Sequence, residues 1–204
     1  MAMISDPAQY FRSLIPPRDE VLLELESEAR AEGIPIVGPV VGELLYILAR
    51  AIQAKAILEL GAATGYSAIY LARGCQPQHG QVISLERDEG MAARARTNIA
   101  KAGLADLVKV RVGEALELMG KLAGPFDLIF MDIDKEEYLP ALAHCHRLLK
   151  PGGLLIADNV GFAAADPFNQ AIFADPCWRM VSLFCLLPAH SPEQDGLSIA
   201  LKVA

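Results

Sequence analysis

No apolar run in the chain approaches the roughly 20 residues that a membrane-spanning helix requires. The opening MAMISDPAQYFR has no basic stretch leading into an apolar core, so neither a bilayer span nor a secretory signal is expected. The four cysteines, Cys75, Cys145, Cys177 and Cys185, form no C-x-x-C pair and sit in apolar or helical surroundings. They read as small buried hydrophobes of a reducing compartment. Positive charge is also in deficit: 18 Lys and Arg against 25 Asp and Glu leave a formal charge of −7. Neither nucleic acid nor an anionic membrane would attract such a surface over any distance. Internal repeats and low-complexity tracts are absent. These exclusions leave a cytoplasmic protein that handles a small, neutral or cationic molecule.

What is present is apolar. Apolar residues make up 53% of the 204 and charged residues 21%, a composition that folds and leaves a surplus of greasy side chains for a subunit interface. A homodimer is therefore expected. The length suits a single domain, 1–204. Within it, helices over residues 1–54 cover the site and residues 55–204 form the core.

Residues 18–32, RDEVLLELESEARAE, place Val21, Leu22, Leu25 and Ala29 on one helical face, and Gly33 ends the helix. A second apolar helix follows in PVVGELLYILARAIQ. From residue 55 short β-type runs alternate with helical stretches: AILEL (56–60), QVISLE (81–86), VKVRV (108–112), FDLIFM (126–131) and GLLIAD (153–158). This alternation predicts a doubly wound, mostly parallel sheet with helices on both faces. After residue 160 a short helix around PFNQAIFA precedes RMVSLFCLL and GLSIALKV. The short PAHSPEQD link cannot carry a parallel crossover, so these two runs are predicted to be antiparallel neighbours. The result is a seven-stranded α/β sheet with an antiparallel last strand.

The loop ELGAATGYS joins the first predicted strand to its helix, where ligands of parallel sheets bind. Gly61 and Gly65 permit tight turning and close approach to a ligand, although an ordinary strand-to-helix turn would look the same. Glu86 ends the second strand 25 positions after Gly61, where a carboxylate can accept hydrogen bonds from ribose hydroxyls. A dinucleotide-dependent dehydrogenase shares that geometry, but its G-x-G-x-x-G fingerprint is absent. An adenosyl cofactor without phosphates fits better. In GEAL after strand three, Glu114 and Ala115 would flank an adenine, a weak signal because Glu also suits any first helical turn.

Asp132 closes strand four, and Asp158 with Asn159 closes strand five. Neighbouring strands about 4.8 Å apart would set these carboxylates face to face. At about 4 Å and an effective dielectric near 20, their repulsion is about 4 kcal/mol. A shared proton, a basic partner or a divalent cation must offset it. Two carboxylates and an amide oxygen suit Mg²⁺, or Mn²⁺ or Ca²⁺. The plainer reading pairs Asp132 with Lys135 and leaves Asp158 capping a loop. His144 and His146 point to different helical faces, and His79 and His190 read as solvated.

The segments ILELGAATGYSAIYLA, ISLERDEGMAARARTNI, FDLIFMDIDKEEY and LLKPGGLLIADNV resemble the cation-dependent, S-adenosylmethionine-dependent O-methyltransferases of the catechol and caffeoyl-CoA type. The combination of D-x-D-K-x-x-Y with G-G-x-x-x-x-D-N-V carries the likeness. It implies that Val37, Glu59, Gly61, Ala62, Ser67, Glu86 and Ala115 line the S-adenosylmethionine site, with Asp134 near the methionine end. It also implies that Asp132, Asp158 and Asn159 hold the metal and that Lys135 and Asp132 are catalytic. The segment after Asn159 departs from the pattern by being short, apolar and free of Lys or Arg between Lys150 and Arg179. That argues against a coenzyme A ester and for a small aromatic vicinal diol as acceptor. The readings that compete are a metal-independent methyltransferase on another small acceptor and a non-catalytic binder of the cofactor.

Overall fold

The computed structural model describes residues 3–203. Strands β1 (Ala56–Leu60), β2 (Gln81–Glu86), β3 (Val108–Val112) and β4 (Phe126–Met131) keep the limits of the predicted runs. The next, β5 (Leu149–Ala157), begins upstream of the predicted Gly153. Leu149 pairs with Phe126 before a register shift, and regular pairing resumes from Leu154 opposite Leu128. Strands β6 (Trp178–Leu186) and β7 (Gln194–Lys202) pair antiparallel with each other, and β7 runs antiparallel to β5. The sheet order is β3-β2-β1-β4-β5-β7-β6, with β1 to β5 parallel. Order reverses between β1 and β4, so the crevice at their carboxyl ends is the topological switch point where such sheets bind ligands.

The nearly continuous apolar runs follow from helices on both faces. Successive strand residues point to opposite sides, so both sets must be apolar. Ile57, Val82, Leu128, Phe130 and Ile156 pack with helices α3 (Gly38–Ala51), α4 (Tyr66–Cys75) and α5 (Glu89–Lys101). Leu58, Leu60, Leu85, Ile129 and Leu155 pack on the opposite face with α6 (Ala115–Lys121), α7 (Tyr138–Leu148) and α8 (Asp166–Ala174).

Two further helices, α1 (Pro7–Arg12) and α2 (Glu20–Glu32), precede α3. Asp19 caps α2 by accepting from the Leu22 amide, and Gly33 ends it in the left-handed conformation. Helices α3 and α4 approach so closely at Gly42 that a Cβ there would lie 2.5 Å from the Tyr70 ring. At the opposite end of the sheet from the crevice, Asp127 Oδ2 accepts from the amides of Lys55 and Ala56 at 2.7 and 2.8 Å. Its other oxygen pairs with Lys150. Burial pushes the Asp127 carboxyl up, but these partners outweigh it and hold the group below its usual range. No helix among the described residues is long and apolar enough to cross a membrane.

Candidate active site

The β1–α4 loop is shaped by the protein as much as by any ligand. Gly61 has φ +91°, and a Cβ there would lie 2.0 Å from the Asp132 carbonyl oxygen, so only glycine lets the end of β1 lie against the end of β4. Gly65 packs on Ala95 of α5. Thr64 is held from α5 as well, its carbonyl accepting from the Asn98 side chain at 3.0 Å.

Glu59 is fully buried under this loop. It accepts from the hydroxyls of Ser84 and Ser67, yet Oε1 has no partner. Burial pushes its carboxyl up to about 7, against the pull of the two serines. An orphaned carboxylate oxygen beneath a glycine loop is the feature expected where a ligand ammonium belongs, so these residues fit the amino-acid end of S-adenosylmethionine. Ala62 and Ser67 are buried beside it, and Val37 is buried at the N-terminus of α3.

Gly61, Glu86, Ala115, Ile133 and Asp134 line one cleft of about 140 Å³ at the crevice. Glu86 is held in place by the loop it faces: Oε2 accepts from the amides of Ala62 and Ala63 at 3.2 and 2.8 Å, and Oε1 from Asp88 at 2.9 Å. Asp134 stands on the wall shared with Glu86 and Ala115, paired with Arg87 at 2.6 Å.

At the ends of β4 and β5 the predicted juxtaposition has an internal answer. Lys135 Nζ donates to Asp132 Oδ1 at 2.8 Å, to the Ile133 carbonyl at 3.0 Å and to the Tyr138 hydroxyl at 3.1 Å. Asp158, 1% exposed, accepts from the Asn159 amide on Oδ1 at 2.9 Å and meets His190 Nε2 on Oδ2 at 2.8 Å. The reading of His190 as solvated is therefore wrong. The β6–β7 loop folds it inward, where it is 6% exposed. Burial pulls the imidazole down, but the Asp158 contact and the Pro192 carbonyl more than offset this and raise it above its ordinary value. Burial, with Asp158 nearby, raises the Asp132 carboxyl despite Lys135. Asn159, at φ +53°, donates from Nδ2 to Asp195 Oδ2 at 2.6 Å, which leaves the amide Oδ1 as its remaining acceptor.

Among the described residues no three His, Cys, Asp or Glu side chains are grouped so as to hold a metal ion. The oxygen set of Asp132, Asp158 and Asn159 contains two carboxylates and an amide, and its donor chemistry fits a hard divalent cation. Beside it, a cleft of about 250 Å³ lies between the α2–α3 turn and the β6–β7 loop, lined by Arg30, Gly33, Pro35, Ile36, His190 and Ser191.

Sequence reasoning gave no role to three residues that organise this end. Tyr138, fully buried, bonds the carbonyls of Met131 and Asp158 at 3.1 and 2.8 Å and so ties the ends of β4 and β5 together. Its i, i+3 relation to Lys135 was the available signal. His190 and Asp195 lie more than 30 residues from their partners in sequence, and no local pattern points to them.

The match with known proteins is extensive. A family model described as O-methyltransferase matches residues 18–171. The chain is 47% identical over 171 residues to a catechol O-methyltransferase of Mycobacterium tuberculosis, covering 78% of this chain and 77% of that protein. It is 42% identical over 157 residues to one of Niastella koreensis, covering 74% and 71%. The crystal structure of an O-methyltransferase from Bacillus cereus in complex with SAH superposes with a TM-score of 0.85 at 32% identity, covering 96% of each chain. Sheet order and crevice thus define an α/β methyltransferase class. The chain belongs to the O-methyltransferase family, and its activity is S-adenosylmethionine-dependent O-methylation.

Proposed function

We propose that the protein moves the methyl group of S-adenosylmethionine to one hydroxyl of a small aromatic vicinal diol, and that it works with a divalent cation held by Asp132, Asp158 and Asn159. The observation that carries this reading is the meeting of two carboxylates at neighbouring strand ends, each with a basic side chain against it, beside an amide whose oxygen is left free. The catechol O-methyltransferases among its relatives support the diol. Mg²⁺, Mn²⁺ or Ca²⁺ suits the oxygen donors, and such an ion would make an acceptor hydroxyl easier to deprotonate.

The chain's own residues do the rest. Glu86 takes the ribose, Gly61 and Ala115 border the adenosine, and Glu59 Oε1 receives the ammonium, with Ala62, Ser67 and Val37 shaping that floor. Asp134, paired with Arg87, closes the cleft beside Glu86 and Ala115. Lys135 puts an ammonium beside the oxygen on which negative charge develops, and the acceptor's proton is lost to solvent as the new O–C bond forms and the S–C bond breaks. Tyr138 keeps Lys135 and Asp158 in register. The departing thioether is neutral and needs no acid, so most of the rate gain comes from alignment along one rigid sheet edge. Among the described residues those up to 54 cover this edge, and the chain acts as one domain with it.

Chelation tests the reading. Activity on a panel of catechols should vanish with EDTA and return with Mg²⁺ or Mn²⁺, and full activity after chelation would overturn it. A second reading, metal-independent transfer, draws on the Lys135 and His190 contacts, which already compensate both carboxylates; the same assay separates the two. A homodimer also belongs to the proposal. An apolar groove of about 660 Å³ between α1, α3 and β6 is lined by Leu183, 45% exposed, and Ile47, 55% exposed. Light scattering that gives a monomer mass at micromolar concentration would remove it.

A further inference from the structure

The β6–β7 loop does more than join two strands. His190 is spent at both ring nitrogens on purely polar partners: Nδ1 lies 2.6 Å from the Pro192 carbonyl oxygen and Nε2 2.8 Å from Asp158 Oδ2, with the side chain 1% exposed. A carbonyl only accepts, so Nδ1 carries a proton and the ring plane is set by its own loop. The other nitrogen is thereby aimed at the carboxylate. Asp195, 2% exposed, works in parallel. Its Oδ1 is anchored by the amides of Gly161 and Gly196 at 3.2 and 2.6 Å, and its Oδ2 holds Asn159 Nδ2. The loop is itself clamped from outside, because Glu193 accepts from the Ala189 amide at 2.9 Å and pairs with Arg12 of α1.

We propose that His190 is a positioning residue of the transfer centre: it fixes the rotamer of Asp158, as Asp195 fixes the amide of Asn159, so that the β6–β7 loop sets the donor geometry offered to the acceptor and its cation. This rests on the cation-assisted reading above. A histidine kept only for packing would have no need to point one nitrogen into a carboxylate at a strand end while the other locks the ring. Outer partners that orient ligating groups are typically worth about 10- to 100-fold in metal affinity.

The test uses the full chain loaded with SAH. Mn²⁺ binding is followed by calorimetry, SAH affinity is measured separately, and kcat and KM are determined for catechol, in the wild type, His190→Ala and His190→Gln. His190→Ala should weaken Mn²⁺ binding about 10-fold or more, raise KM for catechol and leave SAH affinity within about twofold. His190→Gln, whose amide can still donate to Asp158, should recover most of the loss. Mn²⁺ affinity unchanged in His190→Ala would overturn the inference and spare the cation-assisted reading. SAH affinity falling in step with Mn²⁺ affinity, or no recovery in His190→Gln, would overturn it in favour of a structural role. A wild type that takes up no Mn²⁺ and methylates catechol in EDTA would overturn both.

Discussion

Glu59 is the buried group whose ionisation can be followed most directly. It is fully buried, its carboxyl is pushed up to about 7 from 4.5, and Oε1 lacks a partner. In the unfolded chain it ionises near 4.5 and in the cofactor-free fold near 7. Below pH 4.5 both states are protonated, and the group contributes nothing to the pH dependence. Between 4.5 and 7 the unfolded state ionises freely while the folded state cannot, so stability falls as pH rises, and the full loss is present above 7. The gap of 7 − 4.5 = 2.5 units corresponds to about 3 kcal/mol at 1.36 kcal/mol per unit. For a chain of this size that is roughly 6–12 °C in Tm. Glu59→Gln keeps the shape and abolishes the ionisation, so the Tm difference between variant and wild type should favour the variant at pH 8 and shrink toward zero near pH 4.5.

Cofactor binding should reverse the penalty, because an ammonium beside Oε1 stabilises the ionised carboxylate. At pH 6 the wild type should therefore release close to one proton on binding SAH, measured by calorimetry in buffers of different ionisation enthalpy. Glu59→Gln should release none from this group and should bind roughly 10- to 100-fold more weakly, the range for losing a charge-assisted hydrogen bond. Parallel Tm profiles for the two proteins, together with equal SAH affinity, would refute the reasoning.

Other perturbations read separate parts of the site. Asp132→Ala should abolish cation binding in calorimetry and turnover on catechol, while Glu86→Ala should mainly raise the Kd for SAH and free the amides of Ala62 and Ala63. Gly61→Ala places a Cβ 2.0 Å from the Asp132 carbonyl oxygen; several kcal/mol of stability should be lost, seen as a lower urea midpoint. Asp127 is held below its ordinary range, so its contribution is present at neutral pH and is lost as pH falls through its folded value. Asp127→Asn should cost about 1–3 kcal/mol at pH 7, a difference that shrinks progressively as pH falls below the ordinary aspartate range, read by denaturant titration at each pH.

Strand limits were legible because each short apolar run is bounded by residues that cannot continue a buried strand: Gly61 after β1, Asp132 after β4, Asp158 after β5. The antiparallel β6–β7 pair followed from a link too short for a crossover. That two acids would end neighbouring strands was also legible, since strand-end residues are local features and the crossover rule makes β4 and β5 adjacent. Their compensation was not. Asp132 finds Lys135 three residues on, within reach of sequence reasoning, whereas Asp158 finds His190 32 residues away.

The same division holds for the cofactor side. Glu86 could be placed from the end of β2, but the partner of Asp134, Arg87, lies 47 residues away in the chain. By itself the sequence determined the alternation of strands and helices, and with it the sheet edge that carries the chemistry, because hydrophobic period and chain-breaking residues act over a few positions. Only the tertiary structure decided which charges neutralise which. Ion pairing and burial depend on distances between segments remote in the chain, and the loop that brings His190 and Asp195 inward owes its course to packing against α1 and α3.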